Sequence, residues 1–193
     1  MNARVNASDL RALARKYKAL AALRARRDGG GNPAPDRALA VELRALAREF
    51  PGCLRELDTL GAAELQRRAA STAAAAQSVD ANGDSDAAAH EPWMPWISSY
   101  HGLMRAALEI RRRTKASPAH ASATTPALAT LAADATRIAG VAVDVTFVQA
   151  VSAPPQGRIG IVVLRLLATL YQQPPQTIAA ALFPLRRPSP YEL

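Results

Sequence analysis

Several groups of side chains have the types and spacing with which chemistry can be done. The segment SVDANGDSDAAAHE places Asp80, Asn82, Asp84 and Glu91 at positions 1, 3, 5 and 12 of a calcium-loop pattern. A hard cation takes six to eight oxygens at about 2.3–2.6 Å, which alternate acidic side chains and a bidentate Glu can supply as a loop wraps. The sharp turn of such a loop needs Gly at position 6, where this chain has Ser85, and Pro92 follows the Glu directly. The segment therefore reads as a solvated acidic linker, and neither a metal site nor a cofactor is expected. His101, next to Tyr100 and one turn beyond Ile97, has the type of a general base or ligand. His90 and His120 fall in linkers and only Glu109 lies at a helical interval from His101, so a hydrogen-bonded histidine at a helix surface or core edge is expected. Cys53 stands alone beside Pro51 and Gly52, without a CxxC partner, and reads as a structural thiol. Glu42, Glu49 and Glu56 recur every seven residues, each near Arg44, Arg48 or Arg55, as on a solvated face of mixed charge. The glycines at 29–31 lack a following Gly-Lys-Ser/Thr, and no GxSxG is present, so an enzyme is not expected.

Charge offers a second kind of chemistry. The net charge is +8, and it is concentrated: residues 1–28 carry +6, 29–77 carry 0, 78–91 carry −4, 92–117 carry +4, 118–157 carry −1 and 158–193 carry +3. Candidate phosphate-binding residues are Arg11, Arg15, Arg111, Arg112, Arg113, Lys115, Arg186 and Arg187. Most lie near expected helix ends, where cations also offset the partial negative charge of the helix C-terminus by about 0.3–1 kcal/mol each. Near the C-terminus, Leu167, Ala168 and Leu170, a turn at Gln172–Pro175, and then Thr177, Ile178, Ala181 and Leu182 resemble a helix-turn-helix. A base-reading helix needs three or four polar or basic side chains, and this one has Gln176 and Thr177.

These residues need elements to position them, and composition limits the choice. Hydrophobic residues make up 49% of the 193, but 44 are Ala, leaving 51 able to fill a core. No apolar run reaches the ~18 residues of a membrane span, a single Cys cannot make an internal disulfide, and the Leu, Ile and Val content is too high for wholesale disorder. The expected fold is all-α, a single helical-bundle-like domain of about six helices. Residues 1–77 are assigned to basic and Ala-rich helices, 78–91 to an acidic linker, 92–184 to a helical core and 185–193 to a disordered tail, with a Ser/Ala/Pro-rich linker at 116–125.

Helical spacing of Leu10, Leu13, Tyr17, Leu20 and Leu23 predicts a helix over 8–27, capped by Ser8 and ended by the glycines. A second helix from Asp36 stacks Leu39, Leu43, Leu46 and Phe50. A short helical turn around Leu54 and Leu57 follows, and Asp58 or Thr59 is placed to cap a third helix, Ala62–Gln77, that frays among its alanines. Trp93, Trp96, Ile97, Tyr100, Met104, Ala107 and Leu108 form one stripe of the expected central helix. Thr125 and Pro126 open a helix through Leu128, Leu131, Ala135 and Ile138 to Gly140. Residues 141–151 alternate like a strand, but a strand there has no evident mate, and Asp144 can cap a short helix instead. Residues 158–171 read as an almost wholly apolar, buried core helix, followed by a short last helix ending at Pro184.

The expected function is that of a non-enzymatic, cytoplasmic helical binding protein that contacts nucleic acid through basic helix ends and the helix-turn-helix-like pair. The alternative is a helical protein-interaction module with no nucleic acid, binding an acidic protein.

Overall fold

The computed structural model describes residues 6–29, 37–82, 91, 93–116, 125–153 and 159–183. Every regular element among them is helical: α1 (Ala7–Asp28), α2 (Arg37–Glu49), α3 (Cys53–Thr59), α4 (Ala62–Asn82), α5 (Trp93–Ala116), α6 (Thr125–Ala139), α7 (Val145–Ser152), α8 (Ile159–Tyr171) and α9 (Pro175–Leu182). There are nine among the described residues rather than about six, because the short segments around Leu54, after Asp144 and after Pro174 each complete a helix of their own. The chain divides into two compact units: the described residues of Arg4–Met94 and Ala179–Leu193 form the first, and Pro95–Ile178 forms the second.

In the first unit, α1 buries Leu10, Leu13, Tyr17, Leu20 and Leu23 as the spacing predicts. Its cap is Asn6, not Ser8: the Asn6 Oδ1 accepts from the Asp9 N–H at 2.8 Å. Asn6 has the extended backbone that a cap requires, whereas Ser8 is already inside the helix. The partner of α1 is α4, which passes Gln77 and continues to Asn82. Ala-rich sequence does not fray it there, because its inner stripe of Leu65, Arg68, Thr72 and Ala76 is buried and tertiary packing, more than propensity, decides helix length. Leu46 of α2 and Phe50, the residue that follows it, are buried in the core. Gly52 (φ 90°, ψ −3°) and a 3.0 Å bond from Cys53 N–H to Phe50 O mark a type II turn with Pro51 and Gly52 at its centre. This turn sets the entry of α3, whose inward residues are Cys53 and Glu56, while Leu54 is exposed and Leu57 half-buried. Asp58 and Thr59 do not serve as caps: Asp58 binds Arg27, and Thr59 donates to the Arg55 carbonyl.

In the second unit, the buried stripe of α5 is Ile97, Tyr100, Leu103, Ala106, Ala107 and Ile110. The stripe expected from sequence is thus rotated: Trp96 and Met104 are half-buried and Leu108 is 46% exposed. Gly102 marks where α6 crosses α5, since a Cβ there would meet the Ala139 carbonyl oxygen at 2.3 Å. Two left-handed residues close the helices that follow. Gly140 (φ 71°) ends α6 and donates to the Thr136 carbonyl at 2.9 Å. The Thr136 hydroxyl then accepts from Val143 N–H (3.0 Å) and donates to Val143 O (3.3 Å). Asp144 accepts from Phe147 N–H at 2.8 Å, so residues 145–152 form a capped helix and not a strand. The 158–171 segment is not buried all round: α8 buries Ile159, Val163 and Leu167, while Ile161 is 50% exposed. It ends in a Schellman motif, with Gln173 N–H on Ala168 O (3.0 Å), Gln172 N–H on Thr169 O (3.4 Å) and Gln172 at φ 52°.

Candidate interaction surface

The basic residues singled out by the sequence are mostly engaged within the protein. Arg11 pairs with Asp80, and Arg15 with Glu49 at 2.8 Å. Arg112 makes a two-pronged contact with Glu109 at 2.8 and 2.7 Å. Arg113 bonds Glu109 at 2.8 Å and reaches Asp134 at 2.6 Å, tying α5 to α6. Arg111 donates to the Val151 carbonyl at 3.1 Å. Of the described candidates, Lys115 is exposed and has no partner among the described residues. Arg186 and Arg187 lie outside the described residues. The same use of arginine recurs beyond the candidates: Arg27 binds Asp58, Arg67 binds Glu64 and Glu91, and Arg137 binds Asp134.

These pairs shift titrations. The Arg112 and Arg113 guanidinium groups hold the Glu109 carboxyl at about 2, down from 4.5. Arg137 and Arg113 likewise pull Asp134 below its ordinary range, and Arg67 does the same to Glu64.

The first unit also holds a polar cluster that sequence reasoning misplaced. Glu56, expected on a solvated face, is fully buried and accepts two bonds from the Lys16 ammonium at 2.9 and 2.8 Å. Lys16 lies 3.8 Å from the centroid of the Tyr17 ring. Tyr17 in turn stands edge-on to Trp93, with centroids 5.6 Å apart. Arg68 lies 4.6 Å from the Trp93 ring centroid and donates to the Ala181 carbonyl at 2.6 Å, satisfying the last turn of α9. Arg24 reaches the Leu57 carbonyl at 2.9 Å, at the end of α3. Burial pulls the Lys16 ammonium below its ordinary range against the opposing pull of Glu56, and burial pushes the Cys53 thiol up to about 11. Those values suit a structural pair and an inert thiol better than a nucleophile. The one signal available was register: Lys16 shares the inner face of α1 with Leu13, Tyr17 and Leu20, where a cation needs a buried anion.

The calcium-loop pattern is put to other use where it is described. Asp80 belongs to α4 and holds Arg11. Glu91 accepts from Arg67 (2.6 Å), Ser71 (3.3 Å) and the Trp93 indole (2.6 Å). Asp84 and Ser85 lie outside the described residues, and among those described no group of three acidic, His or Cys side chains is arranged to hold a metal. His101 is 2% exposed, in edge contact with the Tyr100 ring, so it belongs to the core and not to a helix surface. Beside it, the Ser99 hydroxyl lies 2.8 Å from the Tyr171 hydroxyl, which donates to the Pro95 carbonyl at 3.2 Å.

Known protein families, curated proteins and solved structures give no match to this chain.

What remains outward is a set of helix faces. On α5, Arg105, Leu108, Arg112 and Lys115 are all exposed. On α2, Val41 is 61% exposed beside exposed Arg44 and Arg48. In α9, Gln176 and Thr177 are exposed on the first turn, while Ile178 and Leu182 are fully buried. A shallow cleft between α5 and α6, lined by Ala106, Ile110, Leu131 and Ile138, encloses about 170 Å³ including open solvent. Among the described residues no helix is long and apolar enough to cross a membrane.

Proposed function

We propose that this chain is a non-enzymatic helical protein-interaction module, with a cytoplasmic location suited to its free, buried Cys53 thiol. The observation that carries the reading is the use made of arginine. A surface that binds a polyanion keeps its cations available to phosphates. Here Arg11, Arg15, Arg112 and Arg113 are each held by a carboxylate, and Arg111 by a backbone carbonyl. Arg11, Arg15, Arg111 and Arg113 thus join one helix to another, and the faces left over combine exposed apolar side chains with scattered cations.

Nucleic-acid binding is the second reading, favoured by the exposed Gln176 and Thr177 at the start of α9 after the α8 turn. Phosphate contacts position a protein, whereas base-edge contacts specify sequence. Two side chains offer little specification. Titration of labelled duplex DNA at two salt concentrations separates the readings. The protein-interaction reading expects binding no tighter than the non-specific range of about 10⁻⁴–10⁻⁶ M at physiological salt. Submicromolar binding at that salt, with a log-log slope steeper than about −4, overturns it.

A further inference from the structure

We infer that the outward face of α5 formed by Arg105, Leu108, Arg112 and Lys115 is a docking surface for an acidic amphipathic helix of another protein. The inference rests on the protein-interaction reading above and names the partner's chemistry. These four residues are spaced three, four and three apart, the repeat that places side chains in a single seam along a helix and lets a second helix lie against it. At 1.5 Å per residue the seam is roughly 15 Å long, enough for about three turns of a partner. Leu108, 46% exposed, sits between the cations and supplies the apolar seat.

Charge complementarity decides the occupant. Arg105 and Lys115 have no carboxylate partner among the described residues, and Glu109, the one acidic residue of α5, is spent on Arg112 and Arg113. Arg112 is itself paired with Glu109, so Arg105 and Lys115 are the cations that this face leaves available. A helix presenting Leu between glutamates matches it, with its apolar residue against Leu108 and carboxylates toward Arg105 and Lys115. A nucleic-acid backbone satisfies the cations and leaves Leu108 uncovered.

The test uses the full chain and a fluorescein-labelled synthetic peptide of about 18 residues, enough for five helical turns, with Leu at three- and four-residue spacing and Glu elsewhere. Anisotropy is read at physiological salt for the wild type and three variants. Both Leu108→Asp and the double variant Arg105→Glu/Lys115→Glu are expected to weaken binding at least about tenfold. The charge-matched control Arg44→Glu/Arg48→Glu, on α2, is expected to change it less than about twofold. A peptide of the same composition in scrambled order is expected to bind about tenfold more weakly. All substituted side chains are exposed, and helical circular dichroism checks that each variant folds. Equal losses in the α5 and α2 double variants reduce the effect to net charge and overturn the inference, as does an absence of binding up to ~1 mM peptide. Neither outcome touches the broader reading, which fails separately if duplex DNA binds submicromolar at the same salt. Should that DNA binding be lost in the α5 variants, the face is a polyanion site and both proposals fall.

Discussion

Changing Gly102 to Ala places a methyl group against backbone, so neighbouring side chains cannot yield by changing rotamer. An ideal Cβ at position 102 lies 2.3 Å from the Ala139 carbonyl oxygen, 3.1 Å from its carbon and 3.2 Å from its Cα. Relief requires α5 and α6 to separate by most of an ångström where Gly140 already fixes the end of α6 in a left-handed conformation. Overpacking of this kind costs about 1–3 kcal/mol, occasionally more. Against it stands the helix propensity gain of Gly→Ala, about 0.8–1 kcal/mol in a helix interior. Because the obstruction is main chain, the cost falls at the upper end, and Gly102→Ala is expected to lose about 2 kcal/mol net. Gly160 provides the matched control. It lies in α8 of the same unit with no heavy atom within 4 Å of its ideal Cβ. Gly160→Ala is expected to gain about 0.5 kcal/mol, less than a mid-helix site because it is in the first turn. Urea unfolding followed by Trp fluorescence, with circular dichroism to confirm a common transition, measures both. If Gly102→Ala is as stable as the wild type, or if the two substitutions change stability with the same sign, the close crossing of α5 and α6 is refuted.

The Lys16–Glu56 pair is expected to behave as a buried unit: Lys16→Met or Glu56→Gln alone loses about 3–5 kcal/mol, whereas Lys16→Met/Glu56→Leu recovers most of that, and additive losses in a double-mutant cycle contradict the pairing. Cys53, its thiol pushed up from 9.0 to about 11 by burial, is expected to react with iodoacetamide at pH 8 about a hundredfold more slowly in native protein than in urea; equal rates place the thiol at the surface. Glu109 is held at about 2 by Arg112 and Arg113, so its stabilisation is present above the ordinary range near 4.5 and is lost as pH falls through about 2. Melting temperatures of wild type and Glu109→Gln are therefore expected to differ at pH 7 and converge toward pH 2, and a constant difference across that range removes Glu109 from the acid transition. Tyr171→Phe is expected to cost about 1–2 kcal/mol by leaving the Ser99 hydroxyl without its acceptor, and an unchanged urea midpoint disposes of that bond.

The spacing of Leu10, Leu13, Tyr17, Leu20 and Leu23 declared the inner face of α1, and Gly140 declared the end of α6, because period and left-handed backbone are local properties. Caps were legible only in part: Asp144 offered a helix cap against the strand-like alternation of 141–151, whereas Asn6 caps α1 in place of Ser8, and Asp58 and Thr59 cap nothing. The α5 stripe was legible only to within a rotation: aromatic residues drew the expected face toward Trp96 and Leu108, whereas the crossing at Gly102 turns Leu103, Ala106 and Ile110 inward. The fate of charge was not legible. Glu56 and Glu49 share a heptad interval and neighbouring arginines, yet Glu56 is buried on Lys16 from another helix and Glu49 remains on an exposed pair with Arg15. Whether a carboxylate meets a cation 40 positions away depends on how α1 and α3 are packed, which no local pattern encodes. The candidate surface was decided in the same way. Composition announced eight excess positive charges, but only tertiary structure determined which arginines close on carboxylates and which cations of α5 remain outward around Leu108.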